Sequence, residues 1–530
     1  MDRKDIITLA VLFIAALFLW TMPFQQNRLP FGEGDSAWHF SIGDYMHSSD
    51  RAISRLPFYV GVWYYNYNSI LGPFALEYPP ANHMNYAFMQ FFGDRFVSVL
   101  MIRAITSFLG VFATYFLIRK LYGFLPAAIA SLALVFSLRE QMIYLWGQQP
   151  TLSSFVIIPV LLYSFYKYAT LLFEGKPSST YLFITAALIA SQYMLHIQGI
   201  IVSLLAMVVF FFFMIIRHKR LPISKNTALQ IGIVVLALVV VMLPFANIYL
   251  GAQSATAPSS KQPSRLLQWT VPSEPISGSF PAAFVQFSSE YRFWMLPLIL
   301  LGVFFLLFRR EPKDLLMLAW LASIYITFHL DVILGADWLG RIARMGVAEP
   351  PLFFSLMAIG LFSIFSLIKI PSQPRILLKY AVAIAVAVIL VFTLGAAAKE
   401  NLSQAYGGIG RITPQQLELA EWLHSNTAEN SMIYDLGTSS YPKIRWLLAS
   451  SQRYINQYYG SFVNASYAKD SPSYFIFDYS DLQLLVNSQY RDQFLPQLNQ
   501  AQQAEQAMFA NITPVYDKNN IRVYNVQVSN

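Results

Sequence analysis

Asp35 and His39 stand four residues apart in the stretch FGEGDSAWHF, residues 31–40, just past the first apolar run of the chain. On a helix that spacing puts both side chains on one face. A carboxylate at a membrane exit can serve as a base or hold a metal ion. It can also cap a helix. From Ser36 to about His47 the pattern suits a short amphipathic helix at the interface, with Trp38, Phe40, Tyr45 and Met46 as interfacial residue types. Asp35 is then its N-cap, accepting backbone N–H bonds. The two roles are compatible, because a capped helix fixes its carboxylate. Glu33 and His39 are supporting candidates, and Asp44, nine residues on from Asp35, points elsewhere.

Further polar groups fall at other outer positions. In LEYPPANHMNYAF, residues 76–88, the Pro79-Pro80 pair forces a rigid turn surrounded by Glu77, Asn82, His83 and Asn85. Such a corner either leads the chain into a span or contacts a substrate. Glu290, in FSSEYRFW, precedes another span beside the interfacial anchors Tyr291, Arg292 and Trp294. The segment GADWLGRIARMGVAEPP carries Asp337, Arg341, Arg344 and Glu349. Arg341 and Arg344 are three apart and share a helical face. Guanidinium groups hold phosphate through forked hydrogen bonds, and this favours a phosphate site over snorkelling anchors. His196, Gln198, His329 and Asp331 lie near span ends, where ionisable groups mark pathways or pockets.

The elements that position these residues follow from composition. Of 530 residues 56% are hydrophobic and 12% charged, so most of the chain is solvated by a bilayer. The net charge of +8 is no nucleic-acid footprint, because the basic residues form short clusters between apolar runs. With no cysteine, disulfides and thiolate metal sites are excluded. About eleven spans are expected, near 6–24, 96–118, 124–138, 152–173, 180–195, 198–216, 228–250, 294–308, 315–334, 351–368 and 377–397. These runs are uniformly apolar, whereas barrel strands alternate. The first lacks a small-residue cleavage site and reads as an uncleaved anchor.

Arg119-Lys120, Arg217 to Arg220, Arg309-Arg310 and Lys369 to Lys379 all fall on one side of this topology. The positive-inside rule makes that side cytoplasmic, together with the N-terminus. The fold expected is an α-helical polytopic membrane domain over 1–398 with outer loops 25–95 and 251–293, then an extracytoplasmic α/β-type domain over 399–530. Loop 251–293 is rich in Ser, Pro and Gly. Three acceptor patterns for glycosylation, at Asn401, Asn464 and Asn511, fall in the polar tail and agree with this placement.

An acidic motif in the first outer loop, a Tyr-Pro-Pro turn, many spans and an outer tail domain together resemble the C-superfamily of membrane glycosyltransferases. Residues 416–454, QLELAEWLHSNTAENSMIYDLGTSSYPKIRWLLASSQRY, are similar to a segment of oligosaccharyltransferase catalytic subunits. There a helix leads to a strand and a Trp-Trp-Asp-Tyr-Gly motif with an Arg downstream. Here the stretch is Ile433-Tyr434-Asp435-Leu436-Gly437, with Arg453 following. Asp435 and Gly437 fit; the Trp pair and the motif Tyr are absent. The family's Asp-x-Asp-like metal motif is represented only by Glu140 in Leu138-Arg139-Glu140-Gln141.

The resemblance implies transfer of a sugar from a polyisoprenyl-phosphate-linked donor in the lipid to a protein or glycan acceptor on the outer face. Asp35 would be the base or a metal-holding carboxylate, with Glu290 and Glu140 as helpers and Arg341 and Arg344 on the departing phosphate. Oxygen ligands point to Mg²⁺ or Mn²⁺, and metal-free catalysis is equally open. The alternatives are an inactive lipid-binding or scaffold protein of the same architecture, and a secondary transporter. The transporter is disfavoured by the lack of paired broken spans in two halves.

Overall fold

The computed structural model describes residues 2–25, 27–32, 34–48, 59–60, 79–243, 280–328, 349–367, 371–404, 411–435, 441–457, 473–488 and 491–526. The chain opens with α1 (Arg3–Trp20), α2 (Met22–Gln25), α3 (Gly34–Ser48) and α4 (Ala81–Met89). Then come α5 (Arg95–Tyr122), α6 (Phe124–Val135), α7 (Leu138–Trp146), α8 (Gln149–Phe173), α9 (Ser179–Leu195), α10 (Ile197–His218) and α11 (Lys225–Met242). Next are α12 (Phe280–Arg309), α13 (Pro312–Phe328), α14 (Glu349–Leu367) and α15 (Ser372–Leu390). Helix α15 runs through a π turn, Val391–Gly395, into α16 (Ala396–Gln404).

Each of the eleven expected spans overlaps a helix among the described residues, and 228–250 runs past them at its end. Among the described residues seven helices are long and apolar enough to cross a membrane, and α6 with α7 makes an eighth if that pair, bent by 43°, counts as one span. The difference has local causes. Helix α1 begins with Arg3, Lys4 and Asp5, which shortens its apolar stretch, and α9 has only 17 residues. The expected span 315–334 runs past Phe328, beyond the described residues. The chain is a multi-pass membrane protein.

One continuous core joins these helices, with Trp20, Phe108, Phe173, Trp320 and Phe354 at its heart. In lipid, tight packing rather than hydrophobic burial brings helices together, and small residues permit close approach. Gly302 and Gly360 do this where α12 meets α14. A Cβ on Gly302 would lie 2.2 Å from the Leu356 carbonyl oxygen, and one on Gly360 2.0 Å from that of Leu298. One end of the bundle is tied by ion pairs of Arg119 with Asp5 and of Arg309 with Asp314.

The tail elements sit at the opposite end. They are α17 (Pro414–Asn426), β1 (Met432–Asp435), α18 (Tyr441–Ser451), β2 (Tyr454–Gln457), β3 (Ser473–Asp478), α19 (Ser480–Val486), α20 (Arg491–Phe509), β4 (Tyr516–Lys518) and β5 (Ile521–Val526). The five strands form one sheet in the order β2-β1-β3-β5-β4. Strand β1 is parallel to β2 and β3, and β5 is antiparallel to β3 and β4. The parallel pair β1–β2 is joined through α18, as a parallel connection requires. The β4–β5 turn has Asn519 and Asn520 at φ 54° and 62°, the left-handed pair that a tight hairpin favours. The tail is thus α/β in type.

Helix α3 is the junction between bundle and tail. Trp38 and Ile42 join Leu419, Leu423, Ile433, Leu447, Ile455 and Val523 in the core beneath the sheet. Ala37 and Phe40 pack with Tyr86, Val99, Trp446 and Ala449. The interfacial amphipathic helix expected here is therefore an interior one, buried at every position from Ser36 to Asp44. Aromatic and small residues that suit a membrane surface suit a core equally well, and the tail supplies the second wall.

Candidate active site

The start of α3 is held from three directions. Trp446 Nε1 of α18 donates to the Gly32 carbonyl at 3.0 Å. Arg411 donates to the carbonyls of Asn27 at 2.7 Å and Leu29 at 2.8 Å. Arg103 of α5 donates to the Phe31 carbonyl at 3.3 Å and the Tyr144 carbonyl at 2.7 Å. Arg103 and Arg411 also lie over the Phe31 ring, at 5.1 and 5.3 Å. Burial pushes the Arg411 guanidinium down to about 10, so it stays charged at neutral pH.

Two glycines let α3 begin against the end of α7. Gly32 has φ 115° and Gly147, the C-cap of α7, has φ 82°, both left-handed. A Cβ on Gly147 would lie 1.9 Å from Ser36 Oγ and 2.5 Å from the Ser36 backbone nitrogen. Helix α3 begins at Gly34, so Asp35 lies inside its first turn and is not the N-cap. The helix starts two residues earlier than expected, and the half-buried carboxylate still meets its positive end.

His39 and His83 meet at 2.9 Å between Nδ1 and Nε2 and are both buried. Trp38 presents an edge to each ring, at 4.7 and 5.8 Å. Burial pushes the His83 ring down to about 3, so it is neutral at physiological pH. The pair locks α3 against α4. At the far end of α3, Asp44 takes a forked bond from Arg95, 2.6 Å on each oxygen, and another from Gln452 at 2.7 Å. Arg95 in turn reaches the carbonyls of Ala449 and Ser450, both at 3.0 Å. Asp44 therefore fastens α3 to α5 and to the tail.

A second corner forms where α7, α12 and α14 meet. Arg139 pairs with Glu349, which is wholly buried at the first position of α14. Tyr291 Oη approaches the same carboxylate at 3.5 Å, and Arg139 lies 5.7 Å from the centre of the Tyr291 ring. Glu140 is buried beside Arg139, its backbone N–H donating to Ser137 Oγ at 3.3 Å. Gln141 accepts from Asn401 at 3.2 Å. Glu290 is the residue before Tyr291 in α12, just ahead of the break at Arg292, where φ is 55°. Its side chain lies outside the described residues.

The sequence candidates thus divide. Asp35, His39 and His83 share one corner; Glu140 and the backbone of Glu290 share the other. Helix α7 separates the two, with Ser36 at its Gly147 end and Glu140 roughly 10 Å away along its axis. Among the described residues no three His, Asp or Glu side chains gather to hold a metal ion. Mg²⁺ or Mn²⁺ takes about six oxygens, of which a protein commonly supplies one or two carboxylates and water the rest, so Asp35 and Glu140 are oxygen donors of the right kind. Glu33, Glu77, Arg341 and Arg344 lie outside the described residues.

Asp435 ends β1 fully buried, facing Gln457 and Ile476 across the sheet, and joins neither corner. Arg453 donates to the carbonyls of His424 at 2.6 Å and Thr427 at 2.8 Å, which pins the C-terminal end of α17. Burial lowers its pKa. Sequence reasoning missed the Arg139–Glu349 and Asp44–Arg95 pairs and the loop-binding role of Arg103 and Arg411. The one available signal was Arg103, an ionisable residue inside an apolar run.

No family model and no curated protein matches the chain. Solved structures do. ArnT from Cupriavidus metallidurans bound to undecaprenyl phosphate aligns with 99% of this chain and 98% of its own, at 12% identity and a TM-score of 0.59. Its apo form aligns with 98% of this chain and 97% of its own, at 12% identity and a TM-score of 0.56. An oligosaccharyltransferase from Archaeoglobus fulgidus in complex with Zn and sulfate aligns with 88% of this chain and 68% of its own, at 15% identity and a TM-score of 0.56. The chain shares the polytopic fold of these structures.

Proposed function

We propose that this chain is a membrane glycosyltransferase that moves a sugar from a polyisoprenyl-phosphate-linked donor to a protein or glycan acceptor on the outer face. The observation that carries this is the bracing of residues 27–32, the segment that leads into α3 and Asp35. Three separate elements hold the start of α3 through Trp446, Arg411 and Arg103. The fold is that of an ArnT bound to undecaprenyl phosphate, which motivates the donor class.

In this mechanism the acceptor's O–H or N–H attacks the anomeric carbon of the donor sugar. Asp35 Oδ takes the acceptor proton as the new bond forms. The bond from the anomeric carbon to the phosphate oxygen breaks, and the lipid phosphate leaves with the electron pair. Its negative charge must be met by fixed positive charge. Arg341 and Arg344 are the residues proposed for that role, and Glu290 and Glu140 are proposed to assist at the acceptor. The domains proposed are 1–398 in the membrane and 399–530 outside it. No step runs through a metal.

Native mass spectrometry of the purified protein tests the donor class. A co-purifying polyprenyl phosphate that is lost in Arg341→Ala/Arg344→Ala supports both assignments. Retention of the lipid in that variant moves the phosphate site elsewhere, and a solute-driven counterflow in liposomes without any bound lipid favours a transporter.

A further inference from the structure

A crevice of about 330 Å³ opens at the basic end of the bundle, where α12, α14 and α15 meet the turn from α5 to α6. Tyr122, the last residue of α5, is on its wall. Arg103, which holds the Phe31 carbonyl near Asp35, lies 19 residues earlier in the same helix, roughly 28 Å away. The crevice is therefore remote from both corners of the candidate active site.

Its inner wall is apolar. Ile359 and Phe362 of α14 are buried there, with Phe305 of α12 beside them. The hydroxyls of Ser363 and Ser366 donate back to the carbonyls of Gly360 at 2.8 Å and Ser363 at 2.6 Å, so neither offers its proton outward. The donors that remain are cationic. Lys379 of α15 is half-buried, with Nζ 5.9 Å from the centre of the Phe365 ring, and forms no ion pair among the described residues. Arg309 of α12 gives Nε and Nη2 to Asp314, but its Nη1 donates to nothing among the described residues, and its side chain is 26% exposed. Glu311 pairs with Lys313 at 3.0 Å and lies 3.6 Å from Arg309 Nε. The two carboxylates balance Arg309 and Lys313, and the charge of Lys379 is left over. Lys4, which is not on the crevice wall, holds a further ammonium 5.2 Å from the centre of the Phe124 ring, which is.

An ammonium without a counter-charge against an apolar wall is costly unless an anion meets it. The helices that frame the crevice also turn apolar side chains outward. Phe308 of α12 is 83% exposed and Leu377 of α15 is 72% exposed. An occupant with an anionic head and apolar chains satisfies both features, whereas a soluble anion would leave the apolar flanks unused. From this we infer that the crevice binds an anionic phospholipid of the bilayer, with its phosphodiester on Lys379 Nζ and Arg309 Nη1 and its chains along α12 and α15. The basic clusters at this end assign it to the cytoplasmic leaflet, where anionic headgroups concentrate. The site stands apart from the sugar transfer proposed above. A lysine that only snorkels needs headgroup water and does not choose among lipids, so selectivity separates the two readings.

The test is native mass spectrometry of the full-length protein in detergent, titrated with dioleoyl phosphatidylglycerol and, as the zwitterionic comparison, dioleoyl phosphatidylcholine. Phosphatidylglycerol is expected to bind saturably and about fivefold or more tightly than phosphatidylcholine. Lys379→Gln is expected to remove that preference. Ser366→Trp fills the crevice without changing charge and should weaken phosphatidylglycerol by a similar factor; Ser366 is exposed, so this variant keeps the test valid if Lys379→Gln fails to fold. Lys219→Gln, at the same end of the bundle but off the crevice, should bind like wild type. Arg341→Ala/Arg344→Ala should also keep phosphatidylglycerol, which separates this site from the donor's. Equal binding of the two lipids overturns the inference, as does affinity unchanged in both crevice variants or an equal loss in Lys219→Gln. Displacement of phosphatidylglycerol by equimolar undecaprenyl phosphate would give the crevice to the donor lipid and overturn it too.

Discussion

Gly147→Ala separates the placement of Asp35 from its chemistry. Gly147 sits at φ 82° and ψ 16°, a left-handed position that costs an alanine about 1–2 kcal/mol. The larger effect is steric. The new Cβ would lie 2.5 Å from both Cα and N of Ser36, where ordinary contact begins near 3.4 Å. These are backbone atoms, so no side-chain rotation relieves the clash, and α3 must withdraw by about 0.9 Å, the difference between the two distances. A displacement of about 1 Å at a reacting group costs roughly a hundredfold in rate. The variant is therefore expected to fold, to melt a few degrees lower, and to turn over lipid-linked sugar about a hundredfold more slowly. The assay is product formation in membranes alongside thermal melting of the purified protein. Ser36→Gly in the same background removes only the hydroxyl contact and is not expected to restore the rate. Turnover within threefold of wild type in a folded Gly147→Ala protein would refute the view that α7 positions Asp35.

Three further outcomes follow from the same geometry. Asp44→Ala leaves Arg95 facing a buried gap and should cost about 3 kcal/mol in thermal melting, with most of it recovered in Asp44→Leu/Arg95→Met; a melting point unchanged in Asp44→Ala would show that the fork does not fasten the tail. The His83 ring has a folded pKa near 3 against an ordinary 6.5, so between those values the unfolded chain binds a proton that the native one does not. Stability should then fall as pH drops from 6.5 toward 3, by about 1.4 kcal/mol per unit from this group, and His83→Gln should flatten that part of the profile measured by melting. Arg341→Ala/Arg344→Ala should lose bound polyprenyl phosphate while melting like wild type.

Much of the bundle was legible because an apolar run of span length is stable in a bilayer and rarely elsewhere. That the acidic stretch follows directly on the first span was legible on the same ground. What surrounds Asp35 was not. Trp446 and Gly32 are 414 residues apart, Arg139 and Glu349 are 210, and no local pattern announces such pairs. Helix α3 reads as interfacial in sequence because Trp38 and Phe40 fit a headgroup layer as readily as the core that the tail closes over them. The helix start fell two residues before its expected place, since Gly34 can open a helix as well as precede it. His39 and His83 resemble site residues by type, whereas their mutual bond and burial give them a positioning role. Asp435 kept its place at a strand end, but the strand lies in the sheet away from both corners.

The central claim is that Asp35 takes the acceptor proton. The direct measurement is lipid-linked sugar turnover by Asp35→Asn in membranes, with polyprenyl phosphate binding measured on the same preparation. Bound lipid is expected at the wild-type level, with a rate lower by about a hundredfold or more. A wild-type rate in Asp35→Asn would remove Asp35 from the mechanism and contradict that claim.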